Sequence, residues 1–98
     1  MNDKIYFDWD EYNIDHIKRH DIDPFEIEEA YLDDLNKKVL FDEEHSTEFE
    51  KRFIVLAVVK SSNKFLKIVF CISEGGLRVI TANKATNDKK LLIIYKQK

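Results

Sequence analysis

One stretch of this chain decides its fold: residues 52–72, which read RFIVLAVVKSSNKFLKIVFCI. Two runs of β-branched and aromatic residues, 52–60 and 65–72, flank the polar residues 61–64. Such runs are typical of strands, and so short a connection predicts an antiparallel hairpin, because a parallel crossover needs a dozen residues or more. Both runs carry apolar residues at successive positions, so we expect each face of the sheet to be at least partly covered.

The strands continue on both sides of this hairpin. Residues 74–76 (EGG) predict a tight turn into a further strand over 77–82, LRVITA. Before the hairpin, residues 38–41 (KVLF) form a weaker candidate strand, and residues 5–7 (IYF) form a short one near the start. Strands that are joined by tight turns pair with their neighbours, so we expect one antiparallel sheet.

Two helices are expected before the sheet. Asp10 is a suitable N-cap for a helix over residues 11–20. The second helix has a sharper start at residues 23–26 (DPFE), where aspartate caps, proline fits the first helical position and glutamate occupies the third. We expect this helix to bury one stripe of side chains and to expose an acidic face. The stripe is Ile27, Ala30, Tyr31 and Leu35, and the acidic face is Glu26, Glu28, Glu29 and Asp33.

A last helix is predicted over residues 87–97, with Thr86 as its N-cap, although the run 91–95 (LLIIY) could equally form a strand. The predicted order of elements is thus β-α-α-β-β-β-β-α. This order indicates an α+β fold, with an antiparallel β-sheet, two N-terminal helices packed on one face of it and a C-terminal helix.

Length and composition exclude several classes of protein. With 98 residues, two glycines and one proline, we expect a single domain over residues 1–98. The lone Cys71 cannot form an internal disulfide, and a secreted domain of this size usually needs disulfides, so we expect a cytoplasmic protein. The N-terminus lacks a signal-peptide pattern, and the longest apolar run, 53–59, is too short to cross a bilayer. We therefore expect no membrane partner.

The net charge of −3 hides a division between the two halves of the chain. Residues 1–50 carry 17 acidic and 5 basic side chains, whereas residues 51–98 carry 2 acidic and 11 basic ones. Such asymmetry indicates a bipolar surface.

Two histidines are candidates for chemistry. His16 and His20 lie four residues apart, a spacing that can hold a metal ion on one helix face. The intervening Ile-Lys-Arg lacks the glutamate of an HExxH motif, and no cysteine lies at a metal-ligand spacing, so we expect no metal ion. No nucleotide-binding motif occurs either, and we expect no cofactor. The pair suits a surface that handles phosphate, where imidazole serves as acid or base near neutral pH. The competing interpretation is burial with satisfied hydrogen bonds.

Two arginines are candidates for phosphate binding. Arg52 begins a predicted strand and Arg78 lies inside another, and an arginine in a strand of a small domain needs a partner or a ligand. The guanidinium fork matches phosphate oxygens. The competing interpretation is a structural salt bridge to Glu48, Glu50 or Asp42.

Several short motifs occur in a familiar order. These are FDWDE at 7–11, followed by Asn13, His16 and His20; Ile22, Pro24, Glu26, Glu28 and Glu29; Arg52-Phe53 at a strand start; and RVITA at 78–82, followed by Ala85 and Thr86. This order resembles that of BrnT-family proteins, and the resemblance spans roughly Tyr6 to Thr86.

The resemblance implies a toxin of a type II toxin–antitoxin system with a RelE-like ribonuclease fold. Its activity would be metal-independent hydrolysis of RNA, which inhibits translation. Its partners would be the RNA substrate and a cognate BrnA-like antitoxin, with DNA contacted only indirectly through the antitoxin complex. The basic half of the chain would then face RNA or the acidic parts of the antitoxin. The acidic half would be solvated or would meet a basic partner segment.

Metal-free cleavage of RNA needs an acid and base together with cations at the phosphate. We expect His20 to act as acid and base with support from His16, and Arg52 and Arg78 to bind the phosphate. We expect assistance in substrate binding from Thr81, Lys84 and Asn83.

Asn83 stands where the family usually carries an arginine, and Lys89 or Lys90 stands near the position of a usual glutamate. These departures leave an alternative function open. The chain would then be a catalytically weakened or inactive BrnT-like module that mainly binds an antitoxin.

Overall fold

The computed structural model describes residues 5–74 and 76–97. Its sheet consists of β1 (Lys38–Phe41), β2 (Arg52–Val59), β3 (Lys64–Ser73) and β4 (Gly76–Lys84). The strands lie side by side in chain order, and each pairs antiparallel with the next. The predicted antiparallel sheet is therefore confirmed, with the β2–β3 hairpin at its centre.

The predicted strand at residues 5–7 is reduced to a single parallel bridge between Phe7 and Leu77. The Leu77 N–H donates to the Tyr6 carbonyl at 2.8 Å, and the Asp8 N–H donates to the Leu77 carbonyl at 2.7 Å. Gly76 permits this approach, because its φ of 122° favours glycine and a Cβ there would collide with the Tyr6 carbonyl. The chain that precedes the first helix therefore runs along the outer edge of β4.

Three helices complete the α+β fold: α1 (Glu11–Lys18), α2 (Pro24–Asp33) and α3 (Lys89–Lys96). The alternative of a strand over residues 91–95 is thereby excluded. Asp10 caps α1 as predicted, and its side chain accepts from the Asn13 N–H at 2.8 Å.

Two predicted helix ends are wrong. The first helix ends at Lys18 rather than at His20, since the chain turns sharply through Asp21, whose φ is 60°. The last helix is capped by Asp88 rather than by Thr86, since the Asp88 carboxylate accepts from the Leu91 N–H at 3.1 Å.

The main core lies between the sheet and the two N-terminal helices. Four residues before the sheet are almost completely buried: Ile17 of α1, Ile22 of the connecting turn, and Ile27 and Ala30 of α2. They pack on residues of the three longer strands. Those strand residues are Val55, Ala57, Val59, Leu66, Ile68, Phe70, Val79 and Ala82. Two helices on one face are therefore confirmed.

The opposite face of the sheet is covered by α3. Leu56, Phe65 and Ala85 are buried there, and they are packed by side chains of α3: Leu91, Leu92, Ile94 and Tyr95. The expectation that both faces are at least partly covered is confirmed. Cys71, which lies in the apolar run of β3, is also buried, with 4% of its surface exposed.

Two assignments on the second helix are wrong. Leu35 is 87% exposed, because α2 ends before it at Asp33. Glu26 is 4% exposed instead of forming part of a solvated face. Its carboxylate accepts from the Asp23 N–H at 3.0 Å, which completes the predicted capping box, and also from Ser62 at 2.7 Å and Lys64 Nζ at 3.0 Å.

The burial of Glu26 is therefore compensated by hydrogen bonds. Burial on its own raises the pKa of a carboxyl group, but the bonds from the Asp23 backbone, Ser62 and Lys64 leave the pKa of Glu26 below its usual value. This carboxylate fastens the start of α2 to the β2–β3 hairpin.

Asp34, the residue after α2, joins three elements. It is 2% exposed, and its Oδ2 accepts from the Val58 N–H of β2 at 2.9 Å and from the Tyr95 hydroxyl of α3 at 2.7 Å. Its Oδ1 accepts from the Asn36 N–H at 2.9 Å. Burial opposes the charge of Asp34, yet these bonds lower its pKa. Burial and the bond to Asp34 raise the pKa of Tyr95 to about 12.

We predict that Asp34→Ala lowers the free energy of unfolding by about 2–4 kcal/mol at pH 7, because the Val58 N–H and the Tyr95 hydroxyl lose their acceptor. Urea unfolding followed by circular dichroism measures this loss. Since folding lowers the pKa of Asp34, its contribution is present above the usual carboxyl pKa of 3.8 and is lost as the pH falls further.

Asp33→Ala is the matched control, because Asp33 is the exposed neighbour of Asp34 and its loss is expected to change the stability by less than about 0.5 kcal/mol. Tyr95→Phe removes one of the bonds to Asp34 and is expected to cost about 1 kcal/mol. Equal effects of the Asp33 and Asp34 variants would contradict the anchoring role of Asp34.

Candidate functional site

The end of α1 meets β4 through a histidine and a threonine. His16 Nε2 lies 3.0 Å from Thr81 Oγ1, and the two form a hydrogen bond whose donor depends on the imidazole tautomer. The ring of His16 also lies 5.4 Å, centroid to centroid, from the ring of His20 in an edge-on arrangement. Both imidazoles are therefore close together beside β4, although His20 follows the end of α1 and does not lie on the helix face that the four-residue spacing predicted.

An open depression lies next to these rings. The turn after α1 supplies one wall, formed by Arg19, His20 and Asp21. The last residues of β4 supply the other wall, and these are Thr81, Asn83 and Lys84. Four of the seven residues that were predicted for the site line this depression, namely His20, Thr81, Asn83 and Lys84. A fifth, His16, lies beside it through its hydrogen bond to Thr81.

The depression holds two cations and one carboxylate. Lys84 Nζ donates to Asp21 Oδ2 at 3.3 Å, and the Asp21 side chain is 81% exposed. An ion pair this exposed is worth little, so an anion in the depression can compete for Lys84. For Arg19, no ion pair or side-chain hydrogen bond is found among the residues that the structure describes. This arrangement can attract a phosphate and present imidazole nitrogens to it.

The sequence did not single out Arg19. Arg19 lies three residues after His16, a helical spacing that places two side chains close together on one face, and this spacing could have indicated it. The turn after α1 brings residues 19–21 to the depression beside β4. Asp21 suits this turn, because aspartate is one of the few residues that adopt a positive φ with ease.

The two predicted arginines lie elsewhere, at the other end of the sheet. Arg52 on β2 and Arg78 on β4 are both register partners of Cys71 on β3, so all three lie in one row across the strands. Arg78 lies three positions before Thr81 on β4, about 10 Å away at the rise of a strand. The structure therefore separates Arg52 and Arg78 from the histidines.

Both arginines are engaged by carboxylates. Arg52 Nε donates to Glu50 at 2.8 Å, which is one of the salt bridges considered above. Arg78 donates to Asp10 at 3.0 Å and to Asp8 at 3.2 Å, and neither partner is among the acids considered for it. The reason is the docking of the N-terminal segment on the edge of β4, which no local pattern in the sequence indicates.

Asp8 is well stabilised as an anion. Its carboxylate accepts from the Ser73 hydroxyl at 2.9 Å as well as from Arg78. The Ser73 bond is the main reason why the pKa of Asp8 lies below its usual value, and Arg78 lowers it further against partial burial. Arg78 thus holds the segment from which α1 begins, because Asp10 is the N-cap of that helix.

Within residues 5–74 and 76–97, no group of three or more histidine, cysteine, aspartate or glutamate side chains could hold a metal ion. No helix in these ranges is long and apolar enough to span a bilayer.

Comparison with known proteins gives one match. A family model described as "Ribonuclease toxin, BrnT, of type II toxin-antitoxin system" matches residues 9–89. No curated protein and no solved structure matches the chain.

We predict that inorganic phosphate binds at the depression and not at the arginine row. Titration of the ¹⁵N-labelled protein with phosphate is expected to shift the backbone amide signals of His20, Asn83 and Lys84 in two-dimensional NMR spectra. The signals of Arg52 and Arg78 serve as the internal control, because their guanidinium groups are already neutralised by carboxylates. Larger shifts at the two arginines than at Lys84 would contradict the assignment.

Proposed function

The chain belongs to the BrnT family of ribonuclease toxins from type II toxin–antitoxin systems, and on this premise we propose that it is a metal-independent endoribonuclease that inhibits translation by cleaving RNA. The family match covers residues 9–89 of the 98 residues. It therefore includes the whole of the depression, together with Arg52 and Arg78.

Metal-free cleavage makes three chemical demands. A base must take the proton of the ribose 2′-hydroxyl as its oxygen attacks the adjacent phosphorus. Cations or hydrogen-bond donors must stabilise the charge that develops on the phosphate oxygens. An acid must protonate the departing 5′-oxygen. In this scheme no water and no metal ion enter the first step.

We assign the acid and base work to His20 with His16 in support. The observation that carries this assignment is the His16–Thr81 hydrogen bond of 3.0 Å beside the edge-on contact of the two imidazole rings. His20 is exposed at the rim of the depression, so substrate can reach it. His16 is half-buried and oriented by Thr81, and its ring lies against His20 on the helix side.

We assign binding of the phosphate to Lys84 and Arg19, the two cations that line the depression. Asn83 and Thr81 add neutral donors and acceptors beside them. For Arg52 and Arg78 to bind the same phosphate, RNA would have to displace carboxylates that now neutralise both side chains. We therefore give Arg78 a positioning role, since it holds Asp10 at the start of the helix that carries His16.

The proposal includes a partner and a location. The partner is a cognate antitoxin of the BrnA type, and DNA is contacted only through the complex with it. The chain acts as one domain in the cytoplasm. The alternative, an inactive module that mainly binds the antitoxin, is favoured by one observation: Lys84 donates to Asp21, and Asn83 next to it supplies no charge.

We predict that His20→Ala lowers the rate of cleavage of single-stranded RNA by about 10²-fold or more, because acid–base catalysis is lost. Cleavage in the presence of EDTA is measured on a fluorescently labelled oligoribonucleotide. His45→Ala is the matched control, since His45 is an exposed histidine that pairs with Asp42 in a different loop. Equal rates for wild type and His20→Ala would contradict the assignment, and a wild type that never cleaves RNA or arrests growth would favour the inactive module.

We also predict that Asp21→Asn strengthens RNA binding about two- to fivefold, because it removes the carboxylate that competes for Lys84. Asparagine adopts the positive φ of this position as readily as aspartate, so the backbone should be unchanged. Asp15→Asn, on an exposed position of α1, is the control for the loss of one negative charge. The same gain in affinity from both variants would show a general charge effect only.

A further inference from the structure

A second depression adjoins the first one at the end of β4. It lies between Lys67 of β3, the last residues of β4 and the loop that leads to α3, where Thr86 and Asn87 line it. Asn83 and Lys84 line both depressions. The two therefore adjoin at the carboxyl end of β4, the first on the side of the turn after α1 and the second on the side of α3.

Lys67 is the unusual residue of this second depression. It lies on β3, an interior strand, and its register partners are the fully buried Leu56 on one side and Asn83 on the other. Its side chain is half-buried, and no ion pair to it occurs among the residues that the structure describes. A lysine at this exposure packs its stem on the sheet and keeps its ammonium group in water. The charge of Lys67 is therefore available to an anion that enters the depression.

The other lining groups suit a polar, anionic guest. Thr86, Asn83 and Asn87 offer hydroxyl and amide groups that donate and accept hydrogen bonds. The single acid is Asp88, and it is committed to the Leu91 N–H at 3.1 Å as the cap of α3. Two lysines with neutral amides fit a phosphate and the edges of a base better than they fit an apolar ligand.

We propose that the second depression binds the nucleotide adjacent to the cleaved one in a single-stranded RNA that crosses the end of β4, with Lys67 on its phosphate. This inference rests on the proposed function for the identity of the polymer. A single phosphate occupies one depression only. A strand with neighbouring phosphates passes Asn83 and Lys84 and so reaches both depressions. The site therefore selects RNA that extends beyond the scissile bond.

The experiment measures binding of the full chain to a fluorescein-labelled octanucleotide of 2′-deoxyribose, which cannot be cleaved, by anisotropy at several salt concentrations. Lys67→Ala is expected to weaken binding several-fold and to lower the slope of log K against log[salt] by about 0.7, the value for one phosphate contact on a single strand. Lys67→Arg keeps the charge and is expected to keep the slope. Lys51→Ala, an exposed lysine just before β2, is the control with no change.

The outcomes separate this inference from the proposed function. If Lys67→Ala leaves the slope of log K against log[salt] unchanged while the wild type cleaves RNA, the inference about the second depression is contradicted. The proposed cleavage site is then unaffected. Normal wild-type binding that depends on Lys67, without any cleavage of the matching ribose octanucleotide, supports the depression and contradicts the proposed activity. A wild type that does not bind the octanucleotide but cleaves the matching ribose octanucleotide overturns the inference about the second depression alone, and a wild type that does neither overturns both. Loss of the slope in Lys67→Arg as well as in Lys67→Ala would show damage to packing rather than loss of a phosphate contact, and it too overturns the proposal.

Discussion

The position of α1 on the edge of β4 is the constraint on which the site depends. At the start of the helix, Arg78 of β4 binds Asp8 and the N-cap Asp10. At its end, His16 bonds to Thr81 on the same strand. An eight-residue helix is about 12 Å long, so these two contacts fix its direction along β4 as well as its distance from the strand. The turn that follows then brings Arg19 and His20 to the end of β4.

Ion pairs within the fold neutralise part of the charge asymmetry between the two halves of the sequence. Acids of the first half pair with bases of the second: Asp8 and Asp10 with Arg78, Asp21 with Lys84, Glu26 with Lys64, and Glu50 with Arg52. The expectation that the acidic half is simply solvated or meets a partner is therefore wrong for the buried Glu26, whereas Asp21 stays 81% exposed beside Lys84. The cations without an ion pair among the described residues are fewer than the composition indicates, and two of them, Arg19 and Lys67, line the depressions at the end of β4.

Local patterns in the sequence predicted most of the fold. The hairpin follows from two β-rich runs with a short polar connection, and the start of α2 follows from aspartate, proline and glutamate in the order that a capping box requires. The same patterns failed where a side chain depends on distant partners. An aspartate after a helix is usually solvated. Asp34 is a buried acceptor because β2 and α3 pack against it and donate hydrogen bonds to its carboxylate. The partners of Arg78 likewise depend on a segment that reaches β4 from 68 and 70 positions away in the chain.

The most direct test of this account is a map of where RNA lies on the protein. Ultraviolet crosslinking of an oligonucleotide that carries 4-thiouridine, followed by mass spectrometry of the tryptic peptides, supplies such a map. The account predicts crosslinks in the peptides that contain His20 and residues 81–87, at the end of β4. Crosslinks confined to the row of Arg52, Cys71 and Arg78 would contradict it, because that row would then be where the protein contacts the RNA.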